Sequence, residues 1–497
     1  MPSESLSNTK RLPIEKVGLT LGLTLVIVWV ALLGLRIWAP TAPYEIDPDE
    51  GLNSIKSLLF LRGYALHREV WSDQPPLFTV ALGIWMAVFG TDANIGRLLV
   101  ATFSGALLAS LFLVSRSGGS TIGGLGAMIL LFVSNRFAKW SSALMIGLPA
   151  LTFGVMAMAT IAASAGSQRY RRWWLILAGG FLAAGVLTKL FAALLVIPAS
   201  ALVLLNPRIA FRERLKEWLL LGVSSVVILF ALILLTAPTL LTTDWPQLIL
   251  PHLAVQGHRH TTQNWNVIDP ILSADWMLIS LAGVGALSIV WNWRRVTPPL
   301  LWAVVAGLWM VRHQPLWPHH YVLMAIPLAW LGGIALTTLF EVASSQRGRV
   351  VTIVAALLLA FVAGRVGYSG YKQLVRTPKN KVKPLNAHVI ANMKKYASPS
   401  TIVLTDRPIY AFQANLPVVP RYAVVSSKRR RAGRLREDAF ERYIKSSQPE
   451  QVLLARFKEF AGPAREALDA HYINVYRSPL ESLYVRKDLV ATAVAPE

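Results

Sequence analysis

The sequence predicts a polytopic α-helical membrane protein with a small C-terminal α/β domain, and three observations lead there. Of the 497 residues, 54% are hydrophobic, and the mean hydropathy is +0.49; soluble domains run nearer about 45–50% apolar even when glycine is counted. Apolar stretches long enough for membrane helices recur from Val17 to about Gly367 and then stop. Much of the formal charge of +23 sits in short loops between those stretches, which is the pattern of membrane topology and not of nucleic-acid binding. Residues 1–367 are therefore read as the transmembrane domain and residues 368–497 as a soluble α/β unit. The absence of cysteine excludes disulfides, thiolate zinc sites and cysteine nucleophiles.

The first apolar run, 17–38, follows Lys10, Arg11 and Lys16. It is longer than the h-region of a cleavable signal and is expected to be an uncleaved anchor. Further spans are expected at 97–114, 121–133, 143–165, 173–187, 191–205, 218–241, 276–293, 300–311, 321–339 and 350–366, about eleven in all. The apolar segment 75–90 is treated as juxtamembrane or half-inserted. Only then do Arg116, the 168–172 cluster, 208–216, Arg294, Arg295 and 347–349 all fall on the cytoplasmic side with the N-terminus. On this layout loops 39–96, 134–142, 188–189, 242–274 and 312–320 share the outer face of the cell membrane with the extracytoplasmic C-terminal domain.

No acidic residue occurs between Asp92 and Glu213, yet the first outer loop holds Glu45, Asp47, Asp49, Glu50, Glu69 and Asp73. Carboxylates, costly in lipid, are gathered at one interface. Asp47-Pro48-Asp49-Glu50 opens an amphipathic stretch with Leu52, Ile55, Leu58 and Leu59 on one face, expected to lie on the membrane surface. Asp47 as N-cap, Pro48 at the first helical position and Glu50 three residues after the cap form a capping box, a structural role for both acids. Asp49 is not needed by the cap and is the carboxylate most free for chemistry; interaction with the helix dipole is its structural alternative. Asp73-Gln74-Pro75-Pro76-Leu77 starts the next apolar helix, and capping alone accounts for Asp73.

At these residues the chain resembles the GT-C superfamily of membrane glycosyltransferases, in the branch of the protein O-mannosyltransferases and the lipid A aminoarabinose transferase. Asp49-Glu50 is similar to the acidic pair of the first outer loop, and Asp73-Gln74-Pro75-Pro76-Leu77 to the charged residue followed by PPL. Leu187-Thr188-Lys189 resembles the LTK turn, and His319-His320-Tyr321 through Pro327 the HY and proline segment. Thr401 to Asp406 is similar to the first strand of the outer domain. The order of these pieces carries the resemblance, since each alone occurs by chance. Two positions depart from the pattern. Gly147 stands where many members have an aspartate, and Gln74 where some have a lysine. A second carboxylate or metal site at 147, and an aminoarabinose substrate, are thus not implied.

The resemblance implies transfer of a sugar from a polyprenyl-phosphate donor to a lipid, glycan or protein acceptor hydroxyl, with inversion at the anomeric carbon. Asp49 and Glu50 are the implied catalytic acids, with Asp49 as general base. Asp73, Gln74, Lys189, His319, His320 and Tyr321 are the implied substrate-binding residues, and cationic groups would stabilise the departing phosphate. A divalent metal at Asp49 and Glu50 is compatible with this chemistry, but a monophosphate leaving group does not demand one.

Each candidate has a structural alternative. Lys189 can snorkel; Arg136 and Lys139 read as interfacial anchors; His319 and His320 can belong to an aromatic belt, with at most one facing a site because neighbours on a helix point apart. His252, His258 and His260 read better as solvated or acceptor-facing than as a metal cluster. The run Lys428 to Arg431 can meet anionic headgroups or a phosphorylated acceptor, with a solvated loop as the default. A transporter or lipid flippase is the rival function, but those proteins place ionisable groups at the midplane in two related halves. Here the acids are interfacial and no internal repeat is evident.

An odd number of spans from a cytoplasmic N-terminus puts Asp406 on the same side as the Asp49 loop. Reporter fusions or protease protection should place both outside, and a cytoplasmic Asp406 would refute the layout.

Overall fold

The structure, a computed structural model, describes residues 5–117, 120–167, 169–256, 261–344, 349–371 and 382–494. Among them, five helices are long and apolar enough to cross a bilayer unaided: Val17–Trp38, Ala93–Ser117, Gly147–Ser164, Phe211–Thr236 and Pro318–Ala343. Leu77–Phe89, Thr121–Phe132, Leu190–Leu204 and Trp276–Leu287 are shorter apolar helices. This is a multi-pass membrane protein; the predicted spans overlap helices, with 143–165 helical only from Gly147 and 218–241 interrupted at Ala237.

The differences have local causes. The 191–205 span begins as a 3-10 segment, Leu190–Leu195, before the α-helix Val196–Leu204. The 276–293 span is not one helix: Trp276–Leu287 ends at Ser288, and the next helix, Ile289–Arg312, is kinked at Asn292 with φ −127° and ψ 38°. The loops 134–142 and 242–274 contain the helices Asn135–Ser141, Trp245–Gln256 and Thr261–Ala274; the last two carry internal prolines, Pro251 and Pro270, and polar residues that break any apolar run.

The acidic loop departs most from expectation. Its helix, Asp49–Leu61, is buried on nearly every side from Glu50 to Leu59 and does not lie on a surface. Its polar face is satisfied internally: Asn53 Nδ2 donates to Leu144 O at 3.0 Å, and Ser57 Oγ donates to Thr79 O at 3.0 Å. The expected capping box is also rearranged. Asp47 Oδ1 accepts from Asp49 N at 3.0 Å, and the Asp47 carbonyl accepts from Glu50 N. Glu50 instead forms a buried ion pair with Arg97. Its Oε1 accepts from Arg97 Nε at 3.0 Å and Leu144 N at 2.8 Å, and its Oε2 from Arg97 Nη2 at 2.8 Å and Ile46 N at 2.6 Å.

The C-terminal residues form a four-stranded sheet. Strands β1 (Tyr44–Glu45) and β2 (Lys383–Pro384) pair antiparallel and join the first loop to the chain entering this unit. Strands β3 (Val403–Thr405), β4 (Gln451–Leu454), β5 (Tyr472–Arg477) and β6 (Ser482–Arg486) take the order β3-β4-β6-β5, parallel only between β3 and β4. A crossover containing helix Ala439–Ser447 precedes β4, and helix Ala461–His471 precedes β5; Phe440 and Phe460 stack between these helices with centroids 4.5 Å apart.

This unit packs directly on the acidic loop. A Cβ on Gly51 would stand 2.8 Å from Ile409 N, so only glycine permits the approach of helix Ile409–Gln413. Arg407 Nη2 pairs with Glu45 Oε2 at 2.9 Å, and Arg62 Nη2 donates to Asn415 O at 2.7 Å.

Removing one partner of a buried, fully hydrogen-bonded ion pair costs about 3–5 kcal/mol. Arg97→Met should therefore lower the thermal midpoint and the yield of monodisperse protein sharply. A variant that is as stable as the parent would show that Glu50 is held by its backbone donors alone.

Candidate active site

A cavity of about 450 Å³ opens where the acidic loop, the predicted outer turns and the C-terminal unit meet. Asp49, Asp73, Gln74, Lys189, His319 and His320 all line it. Glu50 lies behind the wall with its oxygens committed to Arg97 and two backbone amides. Tyr321 is 1% exposed in the helix core and does not reach the cavity. Among the described residues no three His, Asp or Glu side chains converge as a metal cage. His258 and His260 lie outside the described residues.

Asp49 stands at the start of its helix with Asp47 beside it. Burial, reinforced by the Asp47 charge, pushes its carboxyl up to about 6, against the pull of Lys189 and Arg456. Lys189 follows the Arg171–Thr188 helix in extended conformation. Its Nζ lies 4.8 Å over the Phe191 ring, and burial lowers it to about 8 despite the attraction of Asp49. A side chain on Gly147 would point at this ammonium, since an added Cβ would stand 3.7 Å from Lys189 Nζ. A carboxylate at 147, as the resemblance would have it, would stand beside Lys189.

Asp73 does not cap the Leu77–Phe89 helix; Pro76 occupies the cap with no side-chain bond. Its Oδ2 accepts from Lys428 Nζ at 2.6 Å. Burial works to raise the carboxyl, but Lys428, His252 and Lys56 together hold it at about 2. Lys428 Nζ also donates to His252 Nε2 at 2.7 Å; burial and the Lys428 charge keep that imidazole neutral, down at about 4.

The basic run is therefore no solvated loop. Lys428 and Arg431 line the cavity, Arg429 is buried with its guanidinium 4.1 Å over Trp71, and Arg430 pairs with Glu459 at 3.0 Å. His252, too, is a wall residue and not a solvated one.

Both histidines of the 319–320 pair border the cavity, against the expectation of one. They occupy a 3-10 turn, Pro318–Tyr321, in which His320 Nδ1 turns back to accept from Trp317 N at 3.3 Å. That bond leaves Nε2 as the protonated nitrogen. Trp309 packs edge-on to His320 at 5.2 Å and stacks on His313 at 4.1 Å. Arg136 donates at 3.4 Å to Pro270 O, and Lys139 lies 4.5 Å over the Trp140 ring; neither lines the cavity.

Sequence reasoning missed Lys56, Arg456 and His313. Lys56 is 2% exposed within the acidic-loop helix, its Nζ 3.4 Å from Ser72 Oγ. A lysine on the polar face of an otherwise apolar helix was the available signal. Arg456 is delivered by Asp406, whose carboxylate accepts from Ala455 N, Arg456 N and Phe457 N at 2.8, 2.9 and 2.6 Å.

This fold is that of the GT-C membrane glycosyltransferases, and the chain resembles their O-mannosyltransferase and aminoarabinose transferase branch. Residues 73–236 match the family model described as dolichyl-phosphate-mannose-protein mannosyltransferase. The structure is similar to ArnT from Cupriavidus metallidurans bound to undecaprenyl phosphate, with 14% identity, TM-score 0.67, and coverage of 96% of this chain and 99% of that one. It is also similar to the archaeal oligosaccharyltransferase AglB from Archaeoglobus fulgidus, solved with an inhibitory peptide and a dolichol-phosphate. There the identity is 12%, the TM-score 0.58, and the coverage 94% of this chain and 74% of that one. No curated protein matches the chain by sequence.

Asp73 has a folded-state carboxyl near about 2, below its unfolded value of 3.8. Its contribution to stability is present above the unfolded value and is lost as pH falls through the folded one. The thermal-midpoint advantage of wild type over Asp73→Asn should shrink steadily between about pH 5 and about pH 2. A pH-independent gap would mean that Lys428 does not hold the carboxylate.

Proposed function

We propose that this protein is an inverting glycosyltransferase that moves a sugar from a polyprenyl-phosphate donor to an acceptor hydroxyl at the outer face of the cell membrane. The observation that carries the reading is a base and a cation set facing one cavity. Asp49 is poised near neutrality, and Lys56, Lys189, Lys428, Arg431 and Arg456 line the same space. Solved relatives in fold hold undecaprenyl phosphate or dolichol-phosphate, which supports a lipid-phosphate donor here.

In the proposed reaction the acceptor oxygen attacks the anomeric carbon from the face opposite the phosphate while Asp49 takes the hydroxyl proton. The bond from the anomeric carbon to the phosphate oxygen breaks, and polyprenyl phosphate leaves with the electron pair. Lys428 and Lys56 flank Asp73, and with Arg431 they meet the charge growing on the leaving phosphate. His320, whose Nδ1 accepts from Trp317 N, offers Nε2–H to the sugar or phosphate. Glu50 acts by fixing the start of the Asp49 helix and not as a second base. Residues 1–367 form the catalytic membrane domain, and 368–497 an extracytoplasmic unit that closes the cavity with Lys428, Arg431 and Arg456. Charges collected at one end of the bundle, under a packed α/β unit, favour this over a transporter with a midplane site.

The test is release of free polyprenyl phosphate from a panel of polyprenyl-phosphate sugars. Asp49→Asn should lower turnover by about 10²–10⁴ while donor binding persists, because the amide cannot take the proton. Asp47→Asn should be mild, since asparagine keeps the acceptor for Asp49 N. The parent's rate should rise as pH passes upward through about 6, where Asp49 ionises; without the Asp47 charge that limb should move to lower pH. Equal, modest losses in both variants would place the base elsewhere.

A further inference from the structure

A second cavity, of about 710 Å³, lies at the far end of the helix bundle. The Ala93–Ser117 helix connects the two: Arg97 holds Glu50 at one end, and Ser115 and Ser117 border the second cavity at the other. Its 25 residues span about 37 Å, a full bilayer core. The Val322–Ser344 helix makes the same journey, leaving the first cavity just after His320 and reaching the second at Thr337, Thr338 and Glu341. None of the groups proposed for sugar transfer is near it.

The second cavity is built around unneutralised guanidinium groups. Arg208, Arg294 and Arg295 line it against a single acid, Glu341. Among the described residues none of the three arginines has a carboxylate at ion-pair distance. The kink at Asn292 places Trp291 and Trp293 at the mouth, with Arg294 5.1 Å over the Trp293 ring. The Ser115 hydroxyl is buried in the wall without a hydrogen-bond partner among the described residues. Uncompensated arginines, a free buried hydroxyl and interfacial indoles at the end of a membrane-crossing bundle match one class of ligand. It is a phosphate carried on a lipid.

We propose that this cavity is a second, inner-face site for the phosphate headgroup of an anionic membrane lipid. Arg208, Arg294 and Arg295 contact the phosphate, the Ser115 hydroxyl donates to it, and the indoles hold the headgroup at interfacial depth. The inference stands on this cavity alone and does not depend on the transferase reading of the first.

The full chain, purified and examined by native mass spectrometry, tests it with phosphatidylglycerol, phosphatidylcholine and polyprenyl phosphate as probes. The parent should retain phosphatidylglycerol or polyprenyl phosphate in preference to phosphatidylcholine. The triple variant Arg208→Gln, Arg294→Gln, Arg295→Gln should weaken that retention about tenfold or more, as expected for three basic groups facing one phosphate. Arg208→Gln alone should weaken it less and serves if the triple variant does not fold. A loss confined to phosphatidylglycerol identifies bulk anionic lipid as the occupant. A loss of polyprenyl phosphate in the triple variant that Lys428→Met does not reproduce identifies the carrier lipid, because Lys428 belongs to the first cavity. Equal retention of phosphatidylcholine by the parent, or undiminished retention of both anionic lipids by a folded variant, would overturn the proposal.

Discussion

The buried pair between Glu50 and Arg97 is the constraint on which the rest of the site depends. A carboxylate and a guanidinium at 0% and 1% side-chain exposure are tolerable only when every remaining lone pair and donor is used. Here nearly all are: the two Glu50 oxygens take four donors, and Arg97 also reaches Asn94 Oδ1 at 2.7 Å and Tyr44 O at 2.8 Å. One ion pair thereby ties the strand entering the acidic loop, the start of the Asp49 helix, a membrane-crossing helix and the turn at Leu144. Asp49 is one residue from the hub. Its position over the cavity follows from the pair rather than from the capping of its own helix.

The C-terminal unit is a wall of the same cavity. Arg407 on Glu45, Arg429 on Trp71 and Lys428 on Asp73 bind it to the acidic loop at three separate places. Through these contacts a surface that reads as a basic run becomes part of the charge balance of a buried space. Asp73 and Lys428 come from segments 355 residues apart. With Asp73 neutralised by Lys428, Asp49 and Asp47 are the carboxylates left to share the cavity. Their proximity and burial raise Asp49 toward neutrality, where a carboxylate can both take and return a proton.

The family pattern departs at 147, and the structure gives that departure a physical meaning. With Gly147 there is no acid against Lys189, and Lys189 is instead drawn by Asp49. The charge balance of this cavity is thus its own, with Lys56 and Lys428 supplying cations that no single motif announces.

Hydropathy marked most of the long apolar helices and their order, because the cost of exposing the backbone in lipid leaves the chain few alternatives; it did not mark the short helices Asn135–Ser141, Trp245–Gln256 and Thr261–Ala274. Strand β3 was legible within the run Thr401 to Asp406, through the resemblance to the first strand of the outer domain. The convergence of Asp49, Asp73, Gln74, Lys189, His319 and His320 followed from placing their loops on one face, so most of the candidate site was also within reach. Tertiary structure decided which acid does what. The pattern from Asp47 to Glu50 is a good capping box, and nothing local reveals that Glu50 has a guanidinium 47 residues away. Nor does it reveal that the helix after it is buried from Glu50 to Leu59, or that Lys428 and Arg431 are wall residues and not part of a solvated loop. Ion pairs and burial depend on which distant segments meet, and that information is absent from any window of sequence short enough to be read by period or propensity.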